Sequence, residues 1–114
     1  MENSKSIFRQ AFGRFGDSPF LKTIDFFIEF QEFDYSKSQV AHETGISRNT
    51  IEPLWKMLIK KNFIKLTRTI GRADLYKLNR ADPTIQAMIE FDMKLSGIYA
   101  QKQLESPLPS IIKR

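Results

Sequence analysis

The residues best suited to chemistry in this chain lie between Ser47 and Lys61. Apolar residues recur in this stretch at the spacing of one buried helical face: Ile51, Leu54, Trp55, Leu58 and Ile59. The opposite face carries side chains that can reach base edges and phosphates: Arg48, Asn49, Thr50, Glu52 and Lys56. This pattern predicts a helix over residues 47–61 that lies in a DNA major groove. The alternative is an ordinary solvated helix face.

Pro53 and Glu52 make this helix atypical. With Ser47 as its cap, Pro53 lies inside the helix, where it removes the hydrogen bond to the Asn49 carbonyl at a cost of about 3 kcal/mol. The helix is therefore expected either to bend between Asn49 and Pro53 or to begin late, with Thr50 as its cap. The Glu52 carboxylate would repel phosphate, but it could also accept a hydrogen bond from a cytosine amine.

The positive charge of the chain is concentrated around this segment. The 114 residues carry a net charge of +5, whereas residues 47–80 hold nine basic and two acidic side chains, which amounts to +7. Such asymmetry is expected of a surface that binds a polyanion. The charge distribution therefore favours nucleic-acid binding over a charged face that is merely solvated.

The residues before this helix predict a shorter helix and a turn. Ser36 can cap a helix over residues 37–44, and Gly45 supplies the left-handed conformation that ends it. Ile46 then enters the core. The spacing is that of a helix-turn-helix. It places Ser36 and Lys37 at a helix N-terminus, where backbone N–H groups can bind phosphate.

Two short strands are predicted after the helix, because apolar and polar side chains alternate over residues 63–67 and 73–78. Residues 68–72 form a turn between them, with Arg68 and Arg72 at its tip. These arginines would contact the minor groove or its phosphates. Alternatively, they are charges that protect the end of a hairpin from pairing with other strands.

The remaining apolar residues are expected to build the core. Trp55 lies on the apolar stripe and is assigned to the core rather than to base stacking, and Ile64 and Leu66 are predicted to face inward from the first strand. A further helix, from Pro19 to about Glu32, is rich in phenylalanine. Its wide apolar arc predicts that several neighbours cover it, within the core or at a subunit interface.

A terminal amphipathic helix is predicted from Pro83 to about Leu104. Its apolar residues form a seam for another helix and a candidate dimer interface: Ile85, Met88, Phe91, Leu95 and Ile98. Residues 105–114 contain two prolines and are expected to be a flexible tail. Residues 1–17 are expected to be an extension that is compatible with a short helix over residues 6–12.

Several classes of function lack support in the sequence. The chain has no cysteine, which excludes disulfides, thiol catalysis and Cys-ligated zinc. Its single histidine, His42, lacks the spacing of a metal ligand, so neither a metal nor a cofactor is expected. No set of nucleophile and base suggests an enzyme. No apolar run approaches the length of a membrane span. A cytoplasmic, nucleoid-associated protein is therefore expected.

The chain resembles winged helix-turn-helix transcriptional regulators, in particular small archaeal proteins related to the MarR and ArsR groups. Two phrases carry the resemblance: A-x-x-x-G-I-S-x-x-T-I over Ala41 to Ile51, and G-R-x-x-x-Y-x-L-N over Gly71 to Asn79. The resemblance covers residues 18–104. It implies a mainly α fold with a small β-hairpin, a winged helix-turn-helix domain over residues 18–80 and a dimerisation helix over residues 81–104.

The resemblance also implies a function. The expected partners are double-stranded DNA and a second copy of the chain, as in a homodimeric transcriptional regulator. Two alternatives stay open, because a fold does not determine a function. One is a protein-interaction module in a transcription, replication or DNA-segregation assembly. The other is a sensor that binds a small-molecule effector between the helix over residues 18–32 and the terminal helix.

Overall fold

The computed structural model of the protein describes residues 7–105 and shows a mainly helical chain with one two-stranded antiparallel sheet. In chain order the elements are α1 (Ile7–Phe12), α2 (Pro19–Glu29), α3 (Lys37–Thr44), α4 (Arg48–Lys60), β1 (Ile64–Ile70), β2 (Ala73–Leu78) and α5 (Pro83–Glu105). A 3-10 helix, Gly13–Asp17, joins α1 to α2. The predicted mainly α fold with a small β-hairpin is confirmed. The predicted tail beyond Glu105 lies outside the described residues.

Local signals set the ends of the central helices. Ser18 caps α2, and Ser36 caps α3 through a capping box with Gln39. Gly45 ends α3 in the left-handed conformation, with φ of 74°, and Asn62 follows α4 with φ of 62°. The predicted cap at Ser36 and the predicted turn at Gly45 are therefore confirmed. None of the helices within residues 7–105 is long and apolar enough to cross a membrane.

The core lies between α2, α3, α4, the base of the β1–β2 hairpin and the first turns of α5. Trp55 is 5% exposed, and its ring centre lies 5.9 Å from that of Phe27 in α2 and 5.5 Å from that of Tyr76 in β2. Buried aliphatic side chains complete this cluster: Ile24, Val40, Ile46, Ile51, Leu58, Ile64, Leu78 and Ile85. The assignment of Trp55 to the core is confirmed, and its burial turns the opposite face of α4 outward.

The hairpin turn is shorter than predicted. It consists of Gly71 and Arg72 only, and Gly71 has φ of 62°, which a residue without a Cβ adopts readily. Arg68, predicted at the tip, instead lies within β1 opposite Leu75. Leu66, predicted to face inward, is 53% exposed. Both corrections have one cause: β1 continues to Ile70, so the hairpin extends beyond the core.

A β-bulge at Thr67 changes the face that β1 presents. The register shifts between Leu66 and Arg68, which leaves Thr67 as an additional residue. Side chains alternate along a strand, so without the bulge Arg68 would share the core-facing side with Ile64. With the bulge, Arg68 lies opposite Leu75, on the other face of the hairpin.

The N-terminal helix α1 packs on α5. Phe8 is 1% exposed, and the rings of Phe8 and Phe12 both stack on Phe91, each with centroids 6.1 Å apart. The 3-10 helix passes so close to α1 that a Cβ at Gly16 would collide with the carbonyl oxygen of Phe8. The segment before α2 is thus part of the packed structure, and a short helix in it is confirmed.

The apolar seam predicted on α5 is divided between the core and the surface. Ile85 is fully buried in the core of its own chain, so its assignment to a dimer interface is corrected. Met88 also packs against the core, and Phe91 is partly covered by α1. Leu95 is half-buried and Ile98 is 48% exposed. Phe91 is nevertheless 43% exposed, so the seam from Phe91 to Ile98 remains accessible to another chain.

Gly16→Ala is expected to lower the free energy of unfolding by about 1–3 kcal/mol, because the added methyl group must displace α1. Gly97→Ala in α5 is the matched control. Apart from its chain neighbours and the backbone of its own helix, no atom lies within 4 Å of a Cβ built there, so a gain of about 0.5–1 kcal/mol is expected from the better helix former. Urea unfolding measures both values. Equal stability of the Gly16→Ala variant and the parent would contradict the packing of α1.

Candidate nucleic-acid interface

The first turn of α4 presents polar side chains to solvent. The Ser47 hydroxyl accepts a hydrogen bond from the backbone N–H of Thr50 at 3.3 Å, and it donates to the Thr50 hydroxyl at 3.1 Å. Arg48 and Asn49, at the first two positions of the helix, are exposed. α4 begins at Arg48 and includes Pro53, so Ser47 is its cap and, of the two alternatives, the late start with Thr50 as the cap is wrong.

An ion pair joins α3 to this part of α4. The Lys37 ammonium group lies 2.5 Å from a carboxylate oxygen of Glu52, and the two side chains are 35% and 45% exposed. Both residues were predicted as DNA contacts, and the structure brings them together. An accessible pair of this kind adds little stability. The pair matters for the charge of this surface, because Lys37 at the N-terminus of α3 compensates the negative charge of Glu52.

The Glu52 carboxylate lies among three cations. The hydrogen bond from Lys37 holds the pKa of Glu52 below its usual range, and the positive charges of Lys56 and Arg48 act in the same direction. Lys37 is paired with Glu52, and Arg48 and Lys56 lie one helical turn before and after Glu52 on α4. The face formed by α3 and α4 keeps an excess of positive charge although it includes a carboxylate.

The two arginines of the hairpin have different surroundings. Arg72 lies exposed in the turn. Arg68 forms a forked pair with Asp34, in which its Nε donates to one carboxylate oxygen at 2.9 Å and its terminal nitrogen donates to the other at 3.1 Å. This planar, two-bond geometry is the strong form of an arginine–carboxylate contact. The candidate contact residues thus fall into two sets. One lies on α3 and α4; the other consists of the two hairpin arginines, of which Arg72 is exposed in the turn and Arg68 is paired with a carboxylate.

Asp34 accepts a third hydrogen bond. The Thr67 hydroxyl lies 2.5 Å from a carboxylate oxygen of Asp34 and 3.2 Å from the backbone oxygen of Leu75. The hydroxyl has one proton, and the shorter distance to a charged acceptor favours Asp34. The hydrogen bonds from Arg68 and Thr67 lower the pKa of Asp34 to about 2. We call this arrangement of Asp34, Thr67 and Arg68 the clamp.

Sequence reasoning missed the role of Asp34 and the pairing of two lysines. Lys65 and Lys77 lie directly opposite each other on the hairpin. Two like charges at this spacing destabilise a strand pair unless an anion lies nearby. A count from the Gly71–Arg72 turn pairs Lys65 with Leu78, and only the bulge at Thr67 moves it to Lys77. The register could therefore not be read from the alternation of residue types.

A groove of about 450 Å³ lies beside α3, and no residue of α5 lines it, in contrast to the effector site that the sequence places between α2 and α5. Its lining combines aromatic side chains with polar residues of α3: Phe26, Phe30, Tyr35, Ser38, Gln39, His42 and Glu43. Within residues 7–105, no group of three His, Cys, Asp or Glu side chains is placed to hold a metal ion. His42 is exposed and lines the groove.

The clamp predicts an acid titration. The carboxyl of Asp34 is expected to titrate near pH 2, and Arg68→Ala is expected to bring this midpoint back toward 3.8. Because the folded pKa lies below the unfolded value, the clamp stabilises the fold above about pH 4, and this contribution is lost as the pH falls toward 2. Carbon-13 NMR of the side-chain carboxyl follows both midpoints. An unchanged midpoint in the variant would exclude Arg68 as the cause.

Comparison with protein-family models, with curated proteins and with solved structures gives no match for this chain. The function therefore has to follow from the side chains of α3, α4 and the hairpin, and not from a relative.

Proposed function

We propose that the protein is a sequence-specific double-stranded DNA-binding protein of the winged helix-turn-helix type and acts as a transcriptional regulator. In this proposal α4 is the recognition helix and enters the major groove, while the β1–β2 hairpin is the wing. The observation that carries the proposal is the face of α3 and α4 that combines the cations of Lys37, Arg48 and Lys56 with the exposed amide of Asn49 in the first turn of α4.

The residue types on this face suit distinct contacts. A guanidinium such as that of Arg48 can pair with guanine and an amide such as that of Asn49 with adenine, each through two hydrogen bonds. Lys37 and Lys56 would neutralise phosphates and fix the register of the helix. The Thr50 hydroxyl accepts from Ser47, which leaves its own proton available to a phosphate oxygen.

The hairpin would add contacts beside the groove. Arg72 is exposed in the turn and suits a minor-groove or phosphate contact. The repulsion between Lys65 and Lys77 would be offset by a phosphate between them, so both lysines join the proposed contacts. This assignment leaves Arg68 out, since its charge is already paired with Asp34.

Dimerisation through α5 would place two recognition helices on one duplex. Phe91, Leu95 and Ile98 are the accessible part of the seam, and no side chain described from Met93 onward is buried. A two-fold dimer would present its α4 helices to successive major grooves, about 34 Å apart, and would favour a palindromic site.

A second candidate function is a protein-interaction module. It is favoured by two exposed apolar side chains on the hairpin, Leu66 at 53% and Ile70 at 55%. DNA backbone contacts do not require such residues, whereas protein interfaces use them. The two functions differ in their response to salt, because only phosphate contacts release counterions in proportion to the charges neutralised.

DNA binding by the parent protein is expected to weaken steeply with salt. Arg72→Ala should weaken binding to all sequences and reduce the salt slope by about 1, whereas Asn49→Ala should cost about 1–3 kcal/mol mainly at one base position. Lys94→Ala, which removes an exposed cation from α5, is the control and should change neither value. Selection from a random duplex pool followed by titration over a salt series measures all four proteins.

A salt-independent affinity of the parent would exclude the proposed function. Equal losses on every sequence for Asn49→Ala and Arg72→Ala would remove Asn49 from base readout while leaving phosphate binding in place.

Ile98→Glu is expected to dissociate the dimer at micromolar concentration without unfolding the chain, because Ile98 is 48% exposed in the single chain. Ala100→Glu introduces the same charge on the opposite side of α5 and should leave the dimer intact. Sedimentation velocity compares the three proteins. A parent that sediments as a monomer would show that α5 serves its own domain alone.

A further inference from the structure

We propose that Asp34 is a positioning residue that sets the orientation of the β1–β2 hairpin, and that Arg68 acts through Asp34 and does not contact DNA. The inference rests on the proposed function, in which this hairpin is the wing. It gives Asp34, an acidic residue that was not among the candidate DNA contacts, a role in binding, and it assigns Arg68 a structural role.

Packing holds the hairpin at its base and along β2, where Leu75 is 8% exposed and Tyr76 packs on Trp55, but not along the rest of β1. Every residue from Lys65 to Asp74 is exposed, while Ile64 and Leu78 at its base are buried. A two-stranded ribbon of this kind is marginal on its own. Its direction relative to α4 must therefore depend on contacts near the base, where the chain before α3 passes alongside β2.

That segment of chain is attached to both strands. The backbone of Tyr35 pairs with Tyr76 of β2 through two hydrogen bonds of 2.9 Å, one in each direction. The side chain of the preceding residue, Asp34, reaches across to Thr67 and Arg68 of β1. One dipeptide thus links to β2 by its backbone and to β1 by a carboxylate that is only 14% exposed.

The bulge is what makes the clamp possible. It adds Thr67 to β1 and pairs Arg68 with Leu75, so that both side chains lie on the face of the hairpin that does not carry Ile64. Without the additional residue, the guanidinium would lie on the other face of the strand, away from Asp34. The clamp therefore requires both the bulge in β1 and the carboxylate of Asp34.

Arg68 is poorly suited to hold phosphate in this arrangement. Two of its N–H groups donate to Asp34, and the carboxylate neutralises its charge. A phosphate would have to displace a forked contact in which Thr67 also stabilises the carboxylate. The cation is consequently committed within the protein, although 60% of its side chain is exposed.

Asp34→Asn separates positioning from simple electrostatics. Removal of a negative charge beside the wing should by itself strengthen DNA binding. Loss of the clamp should instead weaken it, and a reduction of roughly tenfold is expected, since hydrogen bonds to charged groups are the strong ones. Glu32→Gln is the matched control: it removes one exposed negative charge two residues away and should strengthen binding slightly or leave it unchanged.

Arg68→Lys gives a second test. Lysine keeps the positive charge but cannot form the fork. If Arg68 holds phosphate as a point charge, this variant retains most of the affinity. If it acts through Asp34, the variant loses at least as much affinity as Asp34→Asn, because Asp34→Asn also removes a repelling charge. The double variant then loses no more than Arg68→Lys alone, and the salt slope of Arg68→Lys stays near that of the parent.

The experiment measures DNA affinity over a salt series and amide hydrogen exchange of residues 65–74 for the parent, Asp34→Asn, Arg68→Lys and Glu32→Gln. We expect both clamp variants to bind DNA more weakly and to exchange these amides faster than the parent. Glu32→Gln should show neither change. Unchanged exchange, or binding by Asp34→Asn as tight as that of the parent, would overturn the inference. Faster exchange in a protein that binds no DNA would support the clamp and exclude the proposed function.

Discussion

Burial of the apolar stripe of α4 is the constraint on which the rest of the structure depends. Trp55 lies between Phe27 and Tyr76, so the same side chain joins α4 to α2 and to the hairpin. A helix with one face fixed in a core has its opposite face fixed toward solvent. The direction of Arg48 and Asn49 is thus a consequence of apolar packing and not of any contact these residues make themselves.

The features that follow from neighbouring residues could be read from the sequence. A serine before a helix, a glycine after it and an apolar side chain at every third or fourth position act over one or two turns. Ser36, Gly45 and Trp55 therefore have the roles that the sequence indicates. The mainly helical architecture with one hairpin, and the outward face of α4, rest on signals of this local kind.

Features that depend on distant residues could not be read in this way. The bulge at Thr67 lies where β1 contacts Asp34, a residue 33 positions earlier in the chain. Ile85 follows the spacing of a seam, yet it is buried because the first turn of α5 packs into the core. A periodic pattern shows which side of a helix is apolar, but it does not distinguish a neighbour within the chain from one outside it.

The same limit applies to charge. Residues 47–80 carry +7 by composition, but Lys37 and Arg68 show that a cation on the basic side of the protein can be held by a carboxylate. The two carboxylates that hold these cations have different effects on the surface. Glu52 lies on the same surface as Arg48 and Lys56 and lowers its positive potential, whereas Asp34 lies at the base of the hairpin and commits one arginine to the fold. The capacity of such a surface for a polyanion therefore depends on where each carboxylate lies and not on the net charge of the segment.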